Sequence, residues 1–319
     1  MTFGGIFPLI RGMSTEHFHS GTVVIAGRAN AGKSTLLNAI LGETVSVASP
    51  VAQTTRRAVR GILTDKDHQI VFLDTPGIRQ ASHVLGSLLN RTARGWVTGA
   101  DAAVLVMDAS HSPRDEDWGW LKKLVRDETP VFAALNKIDR GCLRAEYETA
   151  WTDTVAKYRE RDPEFTPPPL RWFEVSARTG AGLNELVAAL KEILPEGPAR
   201  FPEDVLTDDP EPLFIADVIR EQINARLKDE LPHAIAVATD RIEEVDGGGR
   251  KVLATIYVEK PSQRPIVIGA KAKMIRDIRH GAEKELSAIY DQPHKVELWV
   301  KVEPNWTRNY WMLKKFGYV

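Results

Sequence analysis

Short apolar runs alternate with helix-length amphipathic segments over the first 194 residues of this 319-residue chain. Such alternation is typical of βαβ units and predicts an α/β domain with a mostly parallel sheet and helices on both faces. The predicted strands are 22–25, 70–73, 102–107, 131–135 and 172–175. Ligands of such sheets bind at the carboxyl ends of the strands, so the residues after each strand are the first candidates for chemistry.

The pattern changes at residues 195–212, which hold five prolines and six acidic residues and predict a linker. Beyond the linker, the hydrophobic pattern predicts the order α-β-β-α-β, which is a small α+β domain. Its predicted elements are helix 213–228, strands 234–244 and 251–259, helix 274–289 and strand 294–303. The predicted division is therefore a flexible extension 1–20, a first domain 21–194, the linker 195–212 and a second domain 213–319.

Composition adds few constraints. Hydrophobic residues make up 43% of the chain and charged residues 27%, with a net charge of −1, as expected of a soluble globular protein. Cys142 is the single cysteine, which excludes an internal disulfide and favours a reducing cytoplasm. The sequence has no run of 18 apolar residues, so no transmembrane helix is predicted.

The first candidate site is the segment 27–34, Gly-Arg-Ala-Asn-Ala-Gly-Lys-Ser, between a predicted strand and a predicted helix. This GxxxxGKS pattern is a phosphate-binding loop, in which backbone N–H groups and a helix N-terminus surround phosphate oxygens. Lys33 is expected to reach the β- and γ-phosphates, and the Ser34 hydroxyl to ligate Mg²⁺. The predicted nucleotide contacts here are Asn30, Ala31, Gly32, Lys33, Ser34 and Thr35.

A second cluster, Asp-Thr-Pro-Gly at 74–77, follows the strand 70–73. Asp74 is expected to hold Mg²⁺ through water, and the Gly77 N–H to contact the γ-phosphate. Between the two motifs, a threonine must supply a further Mg²⁺ ligand, and Thr55 is preferred to Thr54. We therefore predict Lys33, Thr55 and Gly77 as the catalytic residues.

Two further clusters select the base. Asn136-Lys137-Ile138-Asp139 follows one strand, and Ser176-Ala177 follows the next. The Asp139 carboxylate can accept hydrogen bonds from both the ring N–H and the exocyclic amine of guanine, a donor pair that adenine lacks. Lys137 is expected to pack on the base or ribose, and a backbone N–H near Ala177 to meet the guanine carbonyl. Four motifs in this order predict a GTPase.

The chain resembles the Era-type GTPases over almost its whole length. The residues that carry the resemblance are 27–35, 53–56, 74–77, 136–139, 176–177, 230–232, 267–269, 298–302 and 316–318. The resemblance implies a GTP-binding domain followed by a type II KH domain that binds RNA. It also implies a role in assembly of the small (30S-type) ribosomal subunit, through the 3′ end of its RNA. The protein is expected to be a cytoplasmic monomer, with possible peripheral association with the inner membrane face.

The KH resemblance implies an RNA-binding loop at Gly269-Ala270-Lys271-Ala272, followed by Lys273 and Arg276. KH domains clamp four nucleotides of single-stranded RNA against a GxxG loop. Ala272 departs from that pattern, and its methyl group restricts the positive φ that glycine adopts freely.

Two residues bear on hydrolysis. Ile78 stands where many GTPases place the glutamine that orients the attacking water, so hydrolysis is expected to be slow. In related GTPases an asparagine at the position of Asn30 helps to bind K⁺, which supplies charge at the transition state. Asn30 is therefore a candidate K⁺ residue; the alternative is that it only shapes the loop.

Two other functions remain as alternatives. A P-loop kinase or ATPase would share the loop at 27–34, but the guanine-selective motif at 136–139 argues against it. An RNA-binding assembly scaffold with incidental hydrolysis is compatible with both Ile78 and Ala272.

Overall fold

A computed structural model describes residues 17–48, 57–75, 99–125, 129–227, 231 and 234–318. These residues form an N-terminal α/β unit and a C-terminal α+β unit, which confirms the predicted fold class. Within the described ranges, no helix has the length and apolar character needed to cross a membrane.

The N-terminal unit is built on a six-stranded sheet with the strand order β2-β3-β1-β4-β5-β6. All neighbouring strands are parallel except the antiparallel pair β2 and β3. The strands are β1 (His19–Ala26), β2 (Val59–Thr64), β3 (His68–Asp74), β4 (Ala102–Asp108), β5 (Val131–Asn136) and β6 (Leu170–Glu174). The helices are α1 (Lys33–Leu41), α2 (Asp115–Leu124), α3 (Arg144–Arg159) and α4 (Leu183–Lys191).

Both faces of this sheet are covered by apolar side chains. One cluster includes Leu36 of α1 and Leu186 of α4, and the other includes Trp120 of α2 and Tyr147 of α3. Strands β4 and β5 are buried along their whole length, which explains why they appear in the sequence as continuous apolar runs. This burial fixes the carboxyl ends of the strands, where the predicted motifs lie.

Strand β2 was not predicted, and its glycine explains both the omission and the packing. Gly61 interrupts the apolar pattern, yet a Cβ there would lie 2.6 Å from Leu37 and 2.8 Å from Leu41. Glycine therefore lets α1 approach the edge of the sheet. The structure also begins β1 at His19, so two residues of the predicted extension 1–20 belong to the first strand.

The predicted linker is packed against the first sheet. The Gln69 side chain donates to the Phe201 carbonyl at 2.8 Å and accepts from the Arg200 and Phe201 amides at 2.6 and 3.0 Å. Ile62 of β2 donates its amide to the Leu206 carbonyl. The linker is shorter than predicted, because the next helix begins at Glu211 and accommodates Pro212 in its first turn.

The C-terminal unit is a three-stranded sheet with two main helices on one face. Strands β7 and β8 are antiparallel, whereas β8 and β9 are parallel. The elements are α5 (Glu211–Asn224), β7 (Ile235–Glu244), β8 (Arg250–Val258), α6 (Arg264–Ile268), α7 (Lys273–Ile289), β9 (His294–Val302) and α8 (Tyr310–Lys315). The predicted order α-β-β-α-β omits α6 and α8, which have only five and six residues and therefore show no helical periodicity.

Each face of this second sheet has its own core. Helices α5 and α7 bury residues such as Ile219 and Ile278 against one face. Trp306 and Phe316, from the C-terminal segment, cover the other face.

A buried ion-pair network joins the two units. Arg57, just before β2, donates to Asp209 at 2.5 Å from Nη2 and to Asp217 of α5 at 3.1 Å. Asp217 also accepts from Arg220 at 2.6 Å, and Arg220 donates to the Tyr318 hydroxyl at 3.2 Å. The network connects the start of β2 with the linker, α5 and the C-terminal segment.

Candidate GTP site and RNA-binding loop

The phosphate-binding loop connects β1 to α1 in a conformation that two glycines permit. Gly27 has a φ of 143° and Gly32 a φ of 101°, values that residues with a side chain rarely adopt. A Cβ on Gly27 would collide with the carbonyl oxygen of Val106, and one on Gly32 with the side-chain nitrogen Nδ2 of Asn136. The loop therefore packs tightly against β4 and against residues 136–139, which we call the base-selecting segment.

Lys33 opens helix α1 and is buried. Its ammonium donates to the Arg28 carbonyl at 2.9 Å. Burial lowers the pKa of Lys33 to about 8, although the nearby Asp74 carboxylate opposes that shift. An ammonium in a poorly solvated site is stabilised by a nearby negative charge, and bound phosphate oxygens would supply that charge.

Two of the three residues expected to hold Mg²⁺, Ser34 and Asp74, meet next to the loop. The hydroxyl groups of Ser34 and Ser46 donate to Asp74 Oδ2 at 2.6 and 2.9 Å. Asp74 is fully buried, its Oδ1 atom has no hydrogen-bond partner among the described residues, and burial raises the pKa of its carboxyl group. Hydroxyl and carboxylate oxygens are ligands that Mg²⁺ prefers, so this group fits the ion. When bound, Mg²⁺ would neutralise phosphate charge.

Ser46 was missed by sequence analysis because no motif surrounds it. The structure brings it to the site through Asn38 of α1, which donates to the Ser46 carbonyl at 2.7 Å and accepts from its amide at 3.0 Å.

Asn136 connects the base-selecting segment to the phosphate loop. Its Nδ2 atom donates to the Ala31 carbonyl at 2.9 Å. Its Oδ1 atom accepts from the amides of Lys137 and Ala177 at 2.8 and 3.0 Å. One buried amide side chain thus holds three predicted contact segments together.

Asp139 and Lys137 make contacts with different neighbours of this segment. The Ser176 hydroxyl donates to Asp139 Oδ1 at 2.7 Å, a bond that lowers the pKa of the Asp139 carboxyl group and keeps it ionised. Lys137 has a φ of 69°, and its ammonium donates to the Asn30 carbonyl at 2.7 Å. The lysine stem therefore spans from the base-selecting segment to the phosphate loop.

The structure thus collects most of the predicted nucleotide contacts at one edge of the sheet. These are Asn30, Ala31, Gly32, Lys33, Ser34, Thr35, Asp74, Asn136, Lys137, Asp139, Ser176 and Ala177. The remaining predicted residues, Thr54, Thr55, Gly77 and Ile78, lie outside the described residues.

The predicted RNA-binding loop connects α6 to α7. Gly269 has a φ of 73°, and a Cβ there would lie 2.6 Å from the Cβ of Met274. Lys271 and Ala272 also have positive φ, of 49° and 58°. Ala272 therefore adopts the left-handed conformation despite its methyl group, at the position that caps α7.

The surface around this loop is basic and partly apolar. Lys271, Lys273 and Arg276 are exposed, and Ile266 of α6 is 53% exposed. Apolar side chains beside exposed cations suit a ligand that has both a charged backbone and flat bases.

Comparison with known protein families gives two matches along the chain. Residues 22–137 match the family described as "50S ribosome-binding GTPase", and residues 230–307 match the KH domain family. The GTPase Era of Geobacter metallireducens is 38% identical over 309 residues, which cover 96% of this chain and all of that protein. The chain belongs to the Era family of GTPases. The Era proteins of Geobacter sp. strain M21 and Staphylococcus haemolyticus are 39% and 35% identical, each over 96% of this chain and over 100% and 98% of their own length.

Solved Era structures have the same architecture. An alanine variant of Aquifex aeolicus Era bound to GDP and AlF₄⁻ matches with a TM-score of 0.78 and 35% identity. Era in complex with MgGDPNP and nucleotides 1506–1542 of 16S ribosomal RNA matches with a TM-score of 0.80 and 35% identity. Each match covers 95% of this chain and all of the other.

Membership of the Era family confirms the predicted GTPase activity, the conversion of GTP to GDP and phosphate. It also confirms the order of a nucleotide-binding domain followed by a KH domain.

Proposed function

We propose that this Era-family protein uses GTP to control its binding to single-stranded RNA at the 3′ end of the small-subunit ribosomal RNA. In this role it assists assembly of the 30S-type subunit. The related Era that is bound to MgGDPNP and a segment of 16S ribosomal RNA supports this assignment.

The observation that carries the proposal is the loop from Gly269 to Ala272, with its exposed basic neighbours. Gly269 has a positive φ and no Cβ, so the loop can turn tightly over Met274 at the start of α7 and offer its backbone to a phosphate. Lys271, Lys273 and Arg276 supply the positive charge, while Ile266 offers an apolar contact for bases.

In the proposed GTP complex, residues 30–35 surround the phosphates, and Asp139 and Ala177 recognise guanine. Ser34, Asp74 and Thr55 hold Mg²⁺, and the Gly77 amide contacts the γ-phosphate. Arg57 follows the Thr55 segment directly and is paired with carboxylates of the linker and α5. Changes at the γ-phosphate can therefore reach the KH domain along the short backbone segment from Thr55 to Arg57 and then through the ion pairs of Arg57.

Hydrolysis in this proposal is slow and serves as a timer, because Ile78 cannot orient the attacking water. We also propose that K⁺ bound with the help of Asn30 accelerates the reaction. Asn30 is exposed on the loop with a φ of 63°, and Lys137 binds its carbonyl. Equal turnover in K⁺ and Na⁺ buffers would remove the K⁺ proposal.

We further propose that the protein acts as a cytoplasmic monomer, with only peripheral contact to the inner face of the membrane. The exposed, unpaired thiol of Cys142 is compatible with a reducing compartment.

Crosslinking in cells followed by sequencing of the bound RNA tests the proposed target. We expect wild-type crosslinks to concentrate at the 3′ end of small-subunit RNA, and the double variant Lys271→Ala, Lys273→Ala to lose them. The matched control is Lys284→Ala, which removes an exposed lysine about three turns further along α7. Crosslinks spread evenly over the transcriptome, or loss of them in the control alone, would contradict the proposal. Retention of the crosslinks by a variant that cannot bind GTP would favour a scaffold whose hydrolysis is incidental.

A further inference from the structure

A cluster of three buried charged residues lies behind the nucleotide site. Arg28 is the second residue of the phosphate loop, Asp108 ends β4, and Asp117 lies in the first turn of α2. The three side chains are 8%, 7% and 1% exposed. Burying charged groups costs free energy of desolvation, so the charges in such a cluster must be closely paired.

Asp108 faces both halves of the nucleotide site. Its Oδ2 atom accepts from the Lys137 ammonium at 2.7 Å and lies 3.5 Å from the Arg28 guanidinium. Lys137 belongs to the base-selecting segment, whereas Arg28 belongs to the phosphate loop. One carboxylate therefore holds a cation from each.

The Asp108 carboxylate is itself fixed in place. The Ser110 hydroxyl donates to its Oδ1 atom at 2.6 Å, and the buried Tyr147 hydroxyl donates to its backbone carbonyl at 2.8 Å. Burial alone would raise the pKa of Asp108, but the hydrogen bonds from Lys137 and Ser110 outweigh it and lower the pKa to about 2. The carboxylate is thus ionised and oriented at neutral pH.

Arg28 extends the connection to the lysine that reaches the phosphates. Its guanidinium also binds Asp117 at 3.2 Å, and Asp117 is held by the Arg114 amide at 3.0 Å. The carbonyl of Arg28 accepts from the Lys33 ammonium at 2.9 Å. Two carboxylates therefore fix the backbone segment that precedes the phosphate-binding amides.

We propose that Asp108 is a positioning residue for nucleotide binding, which holds Lys137 and Arg28 so that the base and phosphate subsites keep their spacing. The inference rests on the proposed roles of Lys137 and Lys33 in the GTP site. Correct placement of binding groups before the ligand arrives lowers the entropy lost on binding, so its removal weakens the affinity.

The test is the substitution Asp108→Asn, which keeps the shape of the side chain and removes its charge. We expect release of a fluorescent GDP analogue, followed by stopped flow, to become faster by about tenfold, the size typical of a lost charge-assisted hydrogen bond. The KM for GTP should rise while kcat stays within about twofold. The reason is that the contact stabilises bound GTP and the transition state equally.

Asp65→Asn is the matched control, because Asp65 also pairs with a lysine, Lys191, but lies at the opposite end of the strands. Release from this variant should match the wild type. If Asp108→Asn does not fold, Ser110→Ala removes the 2.6 Å bond that orients the carboxylate and should accelerate release by about threefold.

A double-variant comparison separates positioning from general destabilisation. In a Lys137→Met background, Asp108→Asn should accelerate release much less than it does in the wild type. Equal acceleration in both backgrounds, or unchanged release from folded Asp108→Asn, would overturn the inference. If the wild type itself failed to bind guanine nucleotides, the proposed function would fail instead.

Discussion

The substitution Ala272→Gly is expected to stabilise the KH domain, because Ala272 adopts a backbone conformation that favours glycine. Its φ and ψ are 58° and 28°, in the left-handed region. That region costs a residue with a Cβ about 1–2 kcal/mol, whereas glycine adopts it at no steric cost. Glycine also makes the unfolded chain more flexible, which lowers the free energy of unfolding by about 0.4–1 kcal/mol and offsets part of the gain. The expected net gain in the free energy of unfolding is about 1 kcal/mol.

Scanning calorimetry of the full chain measures this gain as a shift of the KH-domain transition. A change of about 1 kcal/mol corresponds to a rise in Tm of about 4–8 °C for a domain of roughly this size. RNA affinity, measured by fluorescence anisotropy, should also increase, because the methyl group no longer lies where the phosphate backbone approaches the loop.

Ala270→Gly provides the matched control within the same loop. Ala270 is exposed and is not among the described residues with positive φ. Glycine there only adds flexibility to the unfolded chain, so the control should lower the stability by about 0.5–1 kcal/mol. Loss of stability in Ala272→Gly, equal to that of the control, would refute the strain argument.

Substitutions in the nucleotide site and in the ion-pair network have distinct expected effects. Asp139→Asn should shift nucleotide preference from guanine to xanthine in a competition assay, and unchanged guanine preference would contradict the base-recognition assignment. GDP binding should weaken as the pH rises from about 7 to about 9, because unbound Lys33 has a pKa of about 8 and phosphate binding requires its proton. Lys33→Arg should remove this pH dependence in calorimetric titrations, since arginine stays charged. Arg57→Met leaves the buried Asp209 carboxylate without its cation and removes one of the two cations from Asp217, so it should lower the unfolding free energy by about 3 kcal/mol in urea denaturation. Arg60→Met, which breaks an exposed ion pair, should cost less than about 1 kcal/mol, and similar losses in both variants would refute the buried network.

Much of the architecture was predictable because it depends on local patterns. The buried strands β4 and β5 appear as apolar runs, and the phosphate loop is identified by residues that are neighbours in sequence. Strand β2 was not predictable in this way, because Gly61 is required by helix α1 rather than by the strand itself. Helices α6 and α8 are too short to show a period.

In the candidate site too, the predictable residues are those that stand in a local sequence motif. Lys33, Asp74, Asn136 and Asp139 were predicted because each stands in a motif that follows a strand. Arg28, Asp108 and Asp117 meet only through the fold, since 80 residues separate the first two in sequence. An aspartate at the end of a buried strand was the one signal that could have indicated Asp108.

Control of RNA binding by GTP is tested most directly by the affinity of the full-length protein for a single-stranded RNA from the 3′ end of small-subunit ribosomal RNA. Fluorescence anisotropy should be measured with saturating Mg²⁺ and either a non-hydrolysable GTP analogue or GDP. We expect tighter RNA binding in the triphosphate state, by about tenfold, which is a typical coupling between two sites. Equal affinity in the two nucleotide states would contradict the claim that GTP controls RNA binding.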